Sequence, residues 1–82
     1  MIYSVYILKS LKDKKYYIGS TNNIKRRLEE HNSGKTISLR NRLPLKLIYS
    51  EEYQTLKEAV NREKIIKKYK GGNAFKKLIV GV

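Results

Sequence analysis

Two pairs of side chains in the sequence combine reactive groups with positions that bring them together. Arg27 and His31 lie four residues apart in a segment with helical periodicity, so a guanidinium and an imidazole share one face. They flank a buried edge that is defined by Ile24 and Leu28. A cation and an imidazole held together suit a binding or proton-transfer site. A surface arginine beside a boundary histidine explains the same pattern.

The second pair is Tyr6 and Tyr17, in two segments that alternate as strands do. Tyr6 alternates with Val5 and Ile7, and Tyr17 alternates with its own neighbours in the same way. A hairpin would bring the two tyrosines to one face of a sheet. Tyrosine is also a favourable strand residue, so a purely structural role stays open.

Glu63 falls within the apolar arc of the longest predicted helix. That arc follows the 3.6-residue helical period and consists of Leu56, Ala59, Val60 and Ile66. A carboxylate in such a position is costly unless it forms an ion pair or coordinates a metal. Both interpretations remain open on these residues alone, because the chain offers many lysines and arginines as ion-pair partners.

Local patterns predict the elements that position these groups. The expected strands are residues 2–9, 16–20 and 45–53, and the expected helices are 24–32, 56 to about 70, and a short one capped by Asn73. Thr55 and Glu58 form a capping-box signature at the start of the second helix. The order β-β-α-β-α-α predicts one α/β (α+β) domain over residues 1–82, with helices packed on a small antiparallel sheet.

The charge balance favours a polyanionic partner. Lysine and arginine total 19 against 7 acidic residues, which gives a formal net charge of +12. Nucleic acid is the expected partner, ahead of an anionic membrane or a merely soluble surface. The loop between residues 34 and 44 is a candidate contact, since it carries Lys35, Arg40 and Arg42.

Composition also excludes several classes of site. The chain has no cysteine and one histidine, which leaves too few ligands for zinc and no thiol nucleophile. It lacks a glycine-rich phosphate loop, and its only aspartate, Asp13, lies in the predicted hairpin turn, away from any cluster of carboxylates that two metals would need. The N-terminal apolar run is too short for a signal peptide or a membrane span, so a cytoplasmic protein without membrane contact is expected.

Four segments in order resemble the GIY-YIG nuclease superfamily. They are Val5-Tyr6-Ile7, Tyr17-Ile18-Gly19, the helix of residues 23–32 with its arginine, and the helix with the run Arg62-Glu63-Lys64. The resemblance is closest to small stand-alone bacterial members, which are similar to the N-terminal domain of the excinuclease incision subunit. Val5 departs from the family pattern, because it stands where the family name has its first glycine.

This resemblance implies a three-stranded antiparallel sheet and a metal-dependent endonuclease that hydrolyses phosphodiester bonds, with DNA expected over RNA and a role in repair or recombination. It implies one Mg²⁺ or Mn²⁺ ion, bound by Glu63. By position, Arg27 would stabilise the phosphate, and Tyr6, Tyr17 and His31 would supply the general base and position water. Asn73 would match a late asparagine that orders the phosphate. Two alternatives are a nucleic-acid-binding module with little catalysis, and a subunit whose protein partner supplies targeting.

Overall fold

The computed structural model describes residues 2–34, 42–69 and 72–80. The strands are β1 (Tyr3–Ser10), β2 (Tyr16–Thr21) and β3 (Leu45–Tyr53), and the helices are α1 (Ile24–Asn32), α2 (Leu56–Lys68) and α3 (Asn73–Val80). The strands form one antiparallel sheet in the order β2-β1-β3. The predicted fold class and element order are confirmed. None of the helices in the described part of the chain combines the length and the apolar character that a bilayer span requires.

Local capping explains where α1 and α2 begin. The side chain of Asn23 accepts a hydrogen bond from the Arg26 amide at 3.0 Å, so α1 starts at the next residue. Thr55 Oγ1 accepts from the Glu58 amide at 3.2 Å and donates to the Glu58 carboxylate at 2.9 Å. The capping residues that the sequence identified therefore set both starts.

The start of α3 differs from the prediction. Asn73 is the first residue of the helix and not its cap. The carbonyl of Gly72 accepts the Lys76 amide at 3.0 Å, so Gly72 stands where the capping residue does. Glycine is an acceptable N-cap because it adopts the required backbone conformation at little cost.

The central strand β1 is buried on both faces of the sheet. Val5 and Ile7 face α2 and α3, where Ala59, Ile66 and Phe75 complete a core cluster. The other face of β1 lies under α1, and its buried cluster consists of Tyr6, Leu8 and Leu45, with Ile24 and Leu28 packed against it. One predicted member of the α2 apolar arc falls outside the core: Leu56 is 52% exposed, since it lies in the first turn beyond the edge of the sheet contact.

A register shift in β3 divides its residues between the two faces. Ile7 pairs with Tyr49 but its neighbour Leu8 pairs with Leu47, so Ile48 is the extra residue of a bulge. Leu47 therefore packs with Leu8 on the α1 face, and Tyr49 packs with Ile7 on the α2 face. Strict alternation would have placed Leu47 and Tyr49 on the same side.

Candidate active site

Tyr6 lies at the centre of the site, on the face of the sheet that α1 covers. It is 6% exposed, and its strand partner on β2 is Gly19. The Tyr6 ring lies across this glycine: a Cβ atom at Gly19 would be 2.5 Å from the Tyr6 hydroxyl oxygen. No side chain fits there unless the ring moves, so glycine at position 19 is what allows Tyr6 its position.

Helix α1 brings Arg27 and His31 to the Tyr6 hydroxyl. The Arg27 guanidinium lies near the hydroxyl, and its interaction with Tyr6 raises the pKa of Arg27. His31 Nε2 lies 3.5 Å from the same oxygen, and the two rings meet edge to face at 67°. The geometry thus joins three of the predicted site residues at one atom, and we call Tyr6, Arg27 and His31 the Tyr6 cluster.

The two basic groups of the Tyr6 cluster differ in exposure and charge. The Arg27 side chain is 48% exposed and makes an outer contact of 3.6 Å with Glu30. His31 is buried, and burial, followed by repulsion from Arg27, lowers the pKa of its imidazole below the ordinary 6.5. His31 is therefore neutral at pH 7, while Arg27 presents a full positive charge to solvent.

Tyr17 shares the sheet face of Tyr6 but its hydroxyl has other partners. Its strand partner is Leu8, which places it under α1 with Tyr6. The hydroxyl donates to Asp13 at 3.5 Å, and Arg42 pairs with that carboxylate at 2.9 Å. Burial raises the pKa of Tyr17, Asp13 raises it further, and Arg42 opposes both. The tyrosine thus holds its proton more tightly than usual.

Glu63 reaches the site from the opposite side of the sheet. Its Oε1 accepts from Ser20 at 2.8 Å, and its Oε2 pairs with Lys67 at 2.6 Å. Ser20 pairs with Val5, whose side chain packs under α2, so these contacts lie on the α2 face. The Glu63 side chain is 19% exposed.

The ion pair that the sequence allowed for Glu63 is made with Lys67, whereas two arginines near these elements pair with other carboxylates. Arg27 contacts Glu30, and Arg62 forms a pair of hydrogen bonds with Glu51. The contacts that the structure gives Glu63 do not include Tyr6, Tyr17 or Arg27.

An open groove nevertheless joins both faces at the edge of the sheet. Because β2 is an edge strand, side chains from either face can lie beside it. The groove has a volume of about 410 Å³ and contains Tyr6, Tyr17 and His31 together with Tyr16, Ile18 and Lys67. Lys67 therefore belongs to the groove and to the Glu63 ion pair at once. A shallow groove was expected for so small a domain, which buries little volume.

The donor chemistry around Glu63 suits one hard divalent ion. Among the described residues there is no group of three or more histidine, cysteine or acidic side chains that could hold a metal. Mg²⁺ does not need one, because it keeps several waters and is bound through one or two carboxylates and substrate phosphates. Glu63, polar and partly exposed, is sufficient for such an ion, provided that Lys67 yields Oε2 to it.

The predicted nucleic-acid contacts have different outcomes. Lys35 and Arg40 lie outside the described residues. Arg42 is 40% exposed, and its guanidinium lies 5.8 Å from the centre of the Tyr17 ring, at the side of the groove. Asn73 is exposed on α3, on the face opposite Tyr6.

The sequence did not predict the residues that form hydrogen bonds or ion pairs with the predicted site residues. Ser20 and Lys67 bind Glu63, and Asp13 binds Tyr17. Lys67 had a signal, since a glutamate followed four residues later by lysine forms pairs on a helix. The contacts of Ser20 and Asp13 depend on strand and turn geometry, so no local pattern indicates them.

Comparison with known proteins shows the family to which the chain belongs. The GIY-YIG catalytic domain family matches residues 2–76. The chain belongs to the GIY-YIG family. A UPF0213 protein of Streptococcus pneumoniae serotype 4 is 43% identical over 67 residues, which cover 80% of this chain and 67% of that protein. A UPF0213 protein of Clostridium perfringens is 46% identical over 65 residues, or 78% of this chain and 69% of that protein.

A solved structure agrees with the fold of this GIY-YIG chain. It is the solution NMR structure of a UPF0213 protein from Bacillus halodurans, with a TM-score of 0.55 and 32% identity. The alignment covers 99% of this chain and 84% of that one. The resemblance seen in the sequence is thus confirmed, and with it membership of a nuclease family.

Proposed function

We propose that this GIY-YIG chain is an endonuclease that hydrolyses phosphodiester bonds, in DNA by preference, with one Mg²⁺ or Mn²⁺ ion. The observation that carries the proposal is the Tyr6 cluster, in which a half-exposed arginine and a neutral histidine meet one hydroxyl beside an open groove. On the family resemblance we further propose a cytoplasmic role in DNA repair or recombination, with or without a protein partner.

Arg27 is suited to bind the scissile phosphate. Its planar guanidinium can donate two hydrogen bonds to two phosphate oxygens, which a lysine cannot do. Tyr6 fixes one side of the group, and about half of the side chain remains open to solvent. Negative charge increases on the phosphate oxygens as water attacks, so a fixed cation at this position stabilises the transition state more than the ground state.

Tyr6 and His31 are suited to take the proton from the attacking water. The Tyr6 hydroxyl lies near the positive charge of Arg27 and can donate its own proton to a neutral His31 at Nε2. As water loses a proton to the Tyr6 oxygen, Tyr6 passes its proton to His31, and the tyrosine is restored. The raised pKa of Tyr17 leaves less of its ionised form, which is the form that acts as a base, at neutral pH. We assign it the positioning of substrate and water.

Glu63 would hold the metal ion. Such an ion would supply Lewis-acid polarisation of a phosphoryl oxygen and charge for the leaving group. Ser20 donates to one carboxylate oxygen and fixes the orientation of the group. Lys67 occupies the other oxygen and would turn toward the phosphate when the ion binds.

The test is nicking of supercoiled plasmid in manganese by the wild type and by Glu63→Gln. We expect the substitution to lower the nicking rate by roughly 100-fold or more, since charge stabilisation at the reacting phosphate is lost. DNA affinity in chelator should remain equal or increase, because a negative charge is removed. Glu29→Gln, an exposed glutamate of α1, is the matched control and should nick as the wild type does.

A contrary result is equally clear. If Glu63→Gln lowers the melting temperature and nicks at an undiminished rate, Glu63 is a structural ion-pair residue and the metal assignment is wrong. If no protein nicks under any divalent ion, the second candidate function stands: a nucleic-acid-binding module. The observation that favours this candidate is that both Glu63 oxygens already have partners, at 2.8 and 2.6 Å.

A further inference from the structure

A second cleft lies beside the groove, on the α2 face of edge strand β2. It has a volume of about 440 Å³, within the range of small-molecule sites. Its apolar lining consists of Tyr16, Ile18, Ile66 and Phe75. The catalytic proposal uses none of these four side chains.

Aromatic rings form one wall of this cleft. The large side chain of Tyr16 is 38% exposed, whereas that of Phe75 is 3% exposed. The two rings meet edge to face, with centroids 5.0 Å apart. Phe75 thereby supports the Tyr16 ring from one side, and Lys9 Nζ lies 5.6 Å from the centre of that ring. The exposed remainder of the ring is the area open to a flat ligand.

The rim of the cleft is positively charged. It is formed by Lys14, Lys15 and Lys67, and no carboxylate lines the cleft in the part of the chain that the structure describes. Lys14 adopts a left-handed backbone conformation with φ of 64°, and Lys15 donates its amide to Asp13. The hairpin turn thus holds two adjacent lysines at one end of an aromatic cleft.

The cleft is continuous with the groove of the Tyr6 cluster. Tyr16, Ile18 and Lys67 line both cavities. Lys67 also contacts Glu63, the proposed metal ligand. A base bound in the cleft would therefore lie next to the groove, and the nucleic-acid strand that carries it could continue into the groove.

We propose that this cleft is a subsite for an unpaired nucleobase next to the scissile phosphate, stacked against Tyr16. A flat aromatic ligand matches the exposed ring, and the flanking phosphates match the three lysines. A paired base could not enter, because its faces are covered by its neighbours in the duplex. The substrate class is thus nucleic acid with a single-stranded end, flap or gap, and this inference rests on the proposed nuclease function for its location.

The experiment compares two short duplexes in chelator, where no cleavage occurs. One carries a single-stranded overhang with normal bases, and the other carries the same overhang with abasic sugar-phosphates, so that the number of charges is equal. We expect the wild type to bind the normal overhang about tenfold more tightly, as loss of one stacked base predicts. Tyr16→Leu should bind both duplexes with the same, weaker affinity, and Tyr16→Phe should restore the difference.

Two results would overturn the proposal. One is an equal affinity of the wild type for the two duplexes, which is also the result expected if the cleft takes an acidic peptide or a lipid. The other is a tenfold difference that persists in Tyr16→Leu. Thermal melting of each variant shows that it is folded, since Leu retains the apolar contact with Phe75.

Plasmid nicking separates this inference from the proposed function. Metal-dependent nicking that is lost in Glu63→Gln, without any base preference, would leave the nuclease intact and remove the subsite. A base preference that depends on Tyr16, in a protein that never nicks, would leave the subsite intact and remove the nuclease.

Discussion

Two clusters of tyrosine and arginine lie on opposite faces of the same sheet, and they differ in the partner of the arginine. The Tyr6 cluster lies under α1. The other, which we call the Glu51 cluster, lies under α2 and consists of Tyr49, Glu51, Tyr53 and Arg62. The Tyr6 cluster has one tyrosine hydroxyl and the Glu51 cluster has two, and each has one arginine, but only the second has a carboxylate at its centre.

In the Glu51 cluster that carboxylate accepts hydrogen bonds from all three of the other members. Arg62 binds it with two hydrogen bonds, of 2.9 and 3.1 Å, and Tyr49 and Tyr53 each donate to it. Burial raises the pKa of Glu51, yet the hydrogen bonds from Arg62 and the tyrosines outweigh it and hold the pKa below its ordinary value. Burial and Glu51 together raise the pKa of Tyr49 to about 12.

The Tyr6 cluster lacks such a central acceptor. Arg27 lies near the Tyr6 hydroxyl and pairs with Glu30 only at 3.6 Å on its outer side, and about half of its side chain is exposed to solvent. The Arg62 side chain is only 26% exposed. A guanidinium with a fixed carboxylate has its charge compensated within the protein, whereas one without it can accept an external anion. We infer that the Glu51 cluster stabilises the packing of α2 on β3. In the Tyr6 cluster, Arg27 is available to bind a phosphate.

Arg27→Ala should have the largest effect and should spare stability. We expect nicking to fall about 100- to 1,000-fold, because a fixed cation at the transition state is removed. The free energy of unfolding should change by less than about 0.5 kcal/mol, as for other exposed side chains. Arg26→Ala is the matched control, since Arg26 also contacts Glu30, at 3.5 Å, but points away from Tyr6. If both variants lose nicking activity equally, the loss is a general effect of removing positive charge. The proposed difference between the Tyr6 cluster and the Glu51 cluster would then be wrong.

Glu51→Gln should have the opposite profile. It leaves Arg62 without its charged partner, so we expect the free energy of unfolding in urea to fall by about 2 kcal/mol. Nicking per folded molecule should stay at the wild-type rate. Glu52→Gln, at the adjacent exposed position, should be neutral within about 0.5 kcal/mol. If Glu51→Gln loses nicking and keeps its stability, the functional cluster is the Glu51 cluster, and our assignment of function to the Tyr6 cluster is wrong.

Lowering the pH should reduce the free energy of unfolding through the two clusters in separate pH ranges. This is the smallest of the expected effects. The pKa of His31 is lowered by folding, so the unfolded chain takes up the proton first, and stability falls as pH drops below about 6.5. The slope cannot exceed about 1.4 kcal/mol per pH unit for one group. The pKa of Glu51 is also lowered, and its contribution is lost only below its ordinary value of 4.5.

Urea titrations from pH 8 down to about pH 2 distinguish these windows. The chain has a single histidine, so His31→Gln should flatten the upper window and leave the lower one unchanged. Glu51→Gln should do the reverse. A His31→Gln protein that keeps the wild-type slope near pH 6 would show that the imidazole is not held neutral by the fold.

The sequence by itself determined the elements and the two residue pairs from which the members of the Tyr6 cluster come. Helix α1 begins and ends where its cap and periodicity predicted, and β3 spans the predicted residues. Arg27 and His31 fall on one helical face, and Tyr6 and Tyr17 fall on one strand face. These features depend on contacts within a few residues or on fixed periods of 3.6 and 2, which a sequence displays directly.

Only the tertiary structure decided which carboxylate performs which task. The bulge at Ile48 turns Tyr49 and Glu51 toward α2, and Arg62 meets them from a distant segment, so no local pattern indicates that cluster. Edge strand β2 lets Lys67 and the Glu63 it holds approach the groove from the other face. Pairing register and packing between distant segments decide these contacts, because a single bulge reverses the face of every residue that follows it.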